Sequence, residues 1–156
     1  METRPARDGD EAGIAAVLLQ SYNIESPEEA EAAFREERSR GIRYLVAAEG
    51  DRVLGLATWL VHGLPKHGLA ELDRIAVLPE VRGRGMAAAL MQALFADAGA
   101  YFGQYGHALR KLFLMTHADN LRAQAFYGKM GFRAEATLRD HFYPGRDEVV
   151  MSLFLG

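Results

Sequence analysis

The chain contains no cysteine, which excludes disulfides, thiolate metal sites and a cysteine nucleophile. No apolar run reaches the length of a membrane span, and the opening METRPARDGDEAG has no hydrophobic signal segment. These absences predict no membrane partner and a cytoplasmic address. Basic residues do not dominate: 18 Lys and Arg stand against 21 Asp and Glu, a formal net charge of −3. That balance argues against a general nucleic-acid binder. His62, His67, His107, His117 and His141 are too scattered to suggest a metal centre, so no metal is expected. Repeats and low-complexity segments are missing as well. What remains is 156 residues, 49% apolar and 25% charged, long enough to bury a core without crosslinks. Residues 1–156 read as a single domain.

Helical and strand patterns alternate along the chain. Thr3 to Ala6 reads as an edge strand, and Asp8 to Gln20 as a helix with Asp8 or Asp10 as N-cap. Ser26-Pro27-Glu28-Glu29 starts a second helix that Gly41 stops. Ile42 to Ala48 and Arg52 to Val61 form a hairpin across Gly50-Asp51. His62 to Gly68 is a loop, Leu69 to Leu78 a strand, Gly85 to about Tyr101 a helix, and Lys111 to His117 a strand. Asn120 to Lys129 is a helix closed by Gly131, and Phe132 to Leu138 and Glu148 to Leu155 are strands joined by a polar, aromatic loop. The expected fold is therefore α/β (mixed α+β): about seven strands in one mixed sheet, flanked by about four helices.

The segment with most chemistry is Leu72 to Met91, in which a strand runs through Arg82-Gly83-Arg84-Gly85 into an Ala/Leu/Met-rich helix. Free backbone N–H groups, a helix dipole and arginines meet there, as a pyrophosphate seat requires. A Walker A loop is excluded, because no Gly-Lys-Ser/Thr follows. Gly83 to Ala88 satisfies the dinucleotide pattern G-x-G-x-x-A, but the ribose-binding acid expected some twenty residues later is missing. An acyl-coenzyme A site needs no such acid. A plain glycine turn with exposed arginines is the remaining reading.

Two motifs together resemble the GNAT superfamily of acyl-CoA-dependent N-acetyltransferases. Arg82-Gly83-Arg84-Gly85-Met86-Ala87 is similar to its R/Q-x-x-G-x-G/A loop. Asn120 to Phe132 is similar to its N-x-x-A-x-x-x-Y-x-K-x-G-F segment. The resemblance implies acetyl-CoA as the acyl-donor cosubstrate and a splayed central sheet. It implies that Ile75, Ala76 and Val77 line the pantetheine arm and that Arg82, Gly83, Arg84, Gly85, Met86 and Ala87 hold the pyrophosphate. Asn120, Phe126 and Lys129 join the cofactor site, although Asn120 also reads as an N-cap and Tyr127 as a core aromatic. In the superfamily a tyrosine at position 127 protonates or stabilises the departing thiolate. With an ordinary phenol near pKa 10 and a thiol near 8.5, full transfer is uphill by roughly 2 kcal/mol, so stabilisation is the safer description.

A general base is harder to assign. Deprotonating a lysine-like amine at pH 7 costs roughly 4.6 kcal/mol, an α-amine only about 1. Asp73 is the first candidate, Glu71 shares its strand face by two-residue alternation, and His117 ends the next strand. Each also reads as a salt-bridge or strand-end residue. The tail, Ala136 to Pro144 and Val150 to Leu153, is similar to bacterial ribosomal-protein alanine N-acetyltransferases, which implies that Phe142 and Tyr143 contact the acceptor. Those enzymes carry a glutamate where this chain has Met115. With that residue missing, little enzyme-supplied basicity is expected, and activity should rise toward the acceptor's own pKa.

The expected function is acetyl transfer by direct attack of a primary amine, on a protein N-terminus or a small molecule. The alternative is a catalytically silent acyl-CoA-binding sensor or interaction module, and a dinucleotide oxidoreductase comes third. A homodimer is compatible with either of the first two. His62 to His67 and Ser21 to Ser26 are expected to flank the acceptor mouth.

Overall fold

The computed structural model describes residues 1–21 and 24–156. In chain order the elements are β1 (Glu2–Pro5), α1 (Glu11–Ser21), α2 (Pro27–Ser39), β2 (Arg43–Glu49), β3 (Arg52–His62), β4 (Leu69–Val77), α3 (Met86–Gly103), β5 (Lys111–His117), α4 (Leu121–Lys129), β6 (Arg133–Tyr143) and β7 (Arg146–Phe154). The strands form one sheet in the order β1-β2-β3-β4-β5-β7-β6. Its pairs are antiparallel except β4 with β5. This is the expected mixed α/β architecture.

Helices cover both faces of the sheet. Arg43 and Trp59 are partners across β2 and β3, and both reach Asp97 on α3, at 2.8 and 2.9 Å. Tyr44, one residue further along β2, instead packs edge-on against Phe34 of α2, with ring centroids 4.9 Å apart. Successive strand residues point to opposite faces, so α3 covers one face and α2, with α1 beside it, the other. Trp59, Phe34, Phe102, Leu56 and Leu90 are fully buried between these layers.

Local chemistry sets the helix starts. Ser26 caps α2 by accepting from the Glu29 amide at 3.1 Å, while the Glu29 carboxylate accepts from the Glu25 amide at 3.0 Å. The first helix starts at one of its two expected caps. It begins at Glu11, so Asp10 holds the N-cap position: its carbonyl accepts from the Ile14 amide at 2.9 Å, while its side chain turns backward. Asp10 accepts from both guanidinium nitrogens of Arg4, at 2.8 and 3.0 Å, and from the Arg7 amide at 2.9 Å. A bidentate charge-assisted pair draws that side chain to Arg4.

That pair carries a pH-dependent prediction. Asp10 is 4% exposed, and its hydrogen bond with Arg4 holds its carboxyl below the ordinary range despite burial. A depressed folded-state pKa stabilises the fold above the unfolded value near 3.9, and that contribution is lost as pH falls through the folded value. Asp10→Asn is expected to destabilise the protein by about 2–4 kcal/mol at pH 7. The gap to wild type should close as pH falls below about 4, and urea denaturation at several pH values measures it. A gap independent of pH contradicts the assignment.

The last hairpin also departs from the sequence reading. The expected loop between Leu138 and Glu148 is mostly strand, closed by a tight turn at Pro144-Gly145 with Gly145 at φ 78°. Between the pairs Leu138↔Glu148 and Tyr143↔Arg146, residues 139–142 bulge out opposite Asp147 alone. Asp140, at φ 48°, donates its amide to Asp147 at 3.0 Å and accepts from the Gly145 amide at 3.0 Å. Those bonds hold the bulge and aim the aromatic residues that follow.

Candidate active site

The sheet opens where the parallel pair of β4 and β5 ends. β4 and β5 keep register through Leu69↔Lys111, Ala70↔Leu112 and Glu71↔Phe113, and the ladder stops there. β4 continues to Val77 along one lip and β5 to His117 along the other. Between them lies an open cleft of about 1110 Å³. A bulge helps to shape the first lip: Thr58 pairs with Arg74 and Trp59 with Leu72, so Asp73 is the extra residue.

Most of the expected site residues line this cleft. Asp73, Ile75, Ala76 and Val77 come from β4, Arg82, Gly83, Gly85, Met86 and Ala87 from the glycine loop and start of α3. His117 comes from β5, Asn120, Phe126 and Tyr127 from the second motif, and Phe142 and Tyr143 from the last hairpin. Three do not line it. Glu71 does share the face of Asp73, but it lies on the closed side of the fork and bonds His62 at 2.8 Å. Arg84 turns away to Glu49 at 3.2 Å, and Lys129 is exposed outside the cleft. No residue from His62 to Gly68 lines the cleft either. On the other expected flank Ile24 does, while Tyr22 and Asn23 lie outside the described residues.

At one end of the cleft is a helix N-terminus with the chemistry to take an anion. Gly85 occupies the N-cap position of α3 at φ 74°, no side chain among the described residues caps that helix, and Gly83 lies at φ 80°. The first-turn amides of a helix are donors without intrahelical partners, and the helix dipole adds to their pull on an anion. Arg82 stands beside them. Arg122, in the first turn of α4, lines the same cleft. The sequence reading passed over Arg122, although a cation just inside a motif helix was a usable signal.

Further in, Tyr127 packs edge-on against Phe126 and Phe132, with ring centroids 5.4 and 5.9 Å away. Its hydroxyl has no hydrogen-bond partner among the described residues. Desolvation pushes the phenol up to about 12, so it is a protonated donor at neutral pH. Asn120 is both things expected of it in position: its Oδ1 accepts from the Ala123 amide at 3.1 Å, capping α4, and it lines the cleft.

Two carboxylates line the cleft. Asp73 accepts from the Thr58 hydroxyl at 3.4 Å. Solvent reaches it through the open cleft, yet the surrounding protein displaces enough water to push its carboxyl above the ordinary range, against the pull of the Arg74 charge. Arg74 is itself held by Glu37, at 2.6 and 2.8 Å. The second carboxylate, Glu148, was missed by sequence reasoning. It is 3% exposed, pairs in register with His117, and its Oε2 hydrogen-bonds His117 Nδ1. A buried carboxylate thus lies on the neighbouring strand, two pairs along the ladder from Met115.

The model of the acetyltransferase (GNAT) family matches residues 12–132. The chain belongs to that family, whose members draw their acetyl group from acetyl-CoA. Uncharacterized N-acetyltransferases of Mycobacterium tuberculosis and Mycobacterium bovis are 37% identical over 93 residues, 60% of this chain and 54% of theirs. The chain therefore spans about half the length of the curated relatives it matches. Solved structures share the fold at lower identity. The ribosomal-protein-S18-alanine N-acetyltransferase of Escherichia coli aligns with a TM-score of 0.79 at 19% identity, over 99% of this chain and 94% of that one. A spermidine N-acetyltransferase of Vibrio cholerae aligns at 0.77 and 23%, over 98% and 92%. A Salmonella typhimurium structure with its cofactor acetyl-CoA aligns at 0.72 and 18%, over 99% and 94%.

Proposed function

We propose that this chain transfers the acetyl group of acetyl-CoA to a primary amine by direct attack, without a covalent enzyme intermediate. The observation that carries the reading is the meeting, in one cleft, of a helix N-terminus and a tyrosine hydroxyl, neither with a side-chain partner among the described residues. The residues present suit the donor. Positive-φ glycines let the backbone approach a pyrophosphate, and Arg82 and Arg122 add positive charge. Acetyl-CoA supplies an activated thioester. The chain supplies position, a hydrogen-bond donor where sulfur gains charge, and carboxylates that favour a cationic amine approaching from solvent. Assaying peptide N-termini and small amines for free thiol release tests the reading. Amine-dependent release with at least one class is expected, and none across the panel contradicts it.

The last hairpin is proposed to contact the acceptor. Phe142 is 60% exposed and Tyr143 46%, and both line the cleft. Exposed aromatics at a cavity edge offer contact area rather than core packing. Phe142→Ala and Tyr143→Ala are expected to raise acceptor KM by about three- to tenfold, with acetyl-CoA affinity unchanged. An unaltered acceptor KM in both variants removes the hairpin from the site.

A further inference from the structure

We propose that His117 is the general base for the acceptor amine and that Glu148 is the positioning residue that turns its Nε2 to the cleft. The inference rests on the amine-acetyltransferase reading above, and geometry carries it. Glu148 is a buried carboxylate whose side chain has one hydrogen-bond partner among the described residues, the Nδ1 of His117. Carboxylate oxygens only accept, so the bond requires a proton on Nδ1. A neutral ring so held carries its lone pair on Nε2, which has no partner among the described residues.

Both residues are fixed from behind. They face each other across the β5–β7 ladder, and the Ala118 amide donates to the Asp147 carbonyl at 2.9 Å just beyond the pair. The His117 carbonyl accepts from the Asn120 amide at 2.9 Å and from Gln124 Nε2 at 3.2 Å, which ties the strand end to α4, the helix that carries Tyr127. On the cleft side the Tyr143 ring lies 6.3 Å from the imidazole. The His117 side chain is 33% exposed, whereas that of Glu148 is 4% exposed. The imidazole can thus meet an amine from solvent while its orienting group stays dry.

The step balances as follows. The amine lone pair forms the N–C bond, and the C–S bond breaks with its electron pair passing to sulfur. The proton on nitrogen passes to Nε2 and from there to solvent, while the sulfur, facing the Tyr127 hydroxyl, takes its proton from water. Asp73 is the competing base, but among the described residues its carboxylate is held by the Thr58 hydroxyl at 3.4 Å, a weaker hold than the Glu148 carboxylate has on His117.

The test uses the full chain with His117→Ala, Glu148→Gln and Asp73→Asn, each checked for wild-type acetyl-CoA affinity by calorimetry. His117→Ala is expected to lower kcat roughly a hundredfold and to recover part of it in added imidazole. Glu148→Gln is expected to lower kcat about tenfold or more without moving acetyl-CoA affinity. Nitrogen-15 NMR of the ring should show the Nδ1–H tautomer in wild type and its loss in Glu148→Gln. An Nε2–H tautomer in the wild type overturns the proposal, as does a loss of kcat confined to Asp73→Asn. If wild type acetylates amines at a rate that neither the His117 nor the Glu148 substitution changes, the base assignment alone falls. If wild type acetylates no amine, the reaction falls and the base with it.

Discussion

Tyr127→Phe is expected to lower kcat by roughly ten- to a thousand-fold while leaving acetyl-CoA affinity nearly unchanged. The substitution removes one oxygen that bonds no described residue, so the ring packing against Phe126 and Phe132 survives. What is lost is a donor in the cleft lining, proposed to act only as the sulfur acquires charge. An interaction made mainly in the transition state appears in kcat rather than in ground-state binding. The structure also sharpens the role. With the phenol pushed up to about 12, complete proton transfer to a thiolate of pKa 8.5 is uphill by about 5 kcal/mol. A hydrogen bond to the developing thiolate is the chemistry that remains. Steady-state kinetics beside calorimetry checks it, and an unchanged kcat with chemistry rate-limiting makes Tyr127 a packing residue.

Gly85→Val is expected to weaken acetyl-CoA binding by at least about 1.4 kcal/mol, a tenfold rise in Kd. The reason is conformational. A Cβ built on Gly85 meets no protein atom within 4 Å, but the residue sits at φ 74°, which a β-branched side chain rarely adopts. Valine would pull the backbone out of the left-handed region and swing the first amides of α3 off the anion. Thermal unfolding separates this from general damage: the melting temperature should change far less than the affinity. Wild-type affinity in a folded Gly85→Val protein contradicts the anion seat.

Much of this was legible from local signals. The glycine loop, the Ser26 cap, the Gly50-Asp51 hairpin and the Asn120 helix start all depend on residues within a few positions of one another, and each lies where the sequence placed it. The cleft was less legible, because it depends on distant pairings. Nothing in the spacing says that β7 inserts between β5 and β6, and only that order brings Glu148 opposite His117. The bulge at residues 139–142 was hidden for a related reason. His141-Phe142-Tyr143 does not alternate apolar with polar, so it reads as loop until the Asp140 and Asp147 bonds are seen. The pairing of the Asp10 side chain was hidden, because sequence cannot show that Arg4 reaches it across a strand end.

The most direct measurement of the central claim is the stoichiometry of a single reaction mixture: protein, acetyl-CoA and a panel of primary amines, resolved by mass spectrometry and thiol titration. Free thiol and acetylated amine are expected to appear in equal amounts, at a rate that Tyr127→Phe reduces at unchanged acetyl-CoA affinity. Tight acetyl-CoA binding with no acetylated amine, or thiol released without it, contradicts the account and leaves a cofactor-binding module in place of an acetyltransferase.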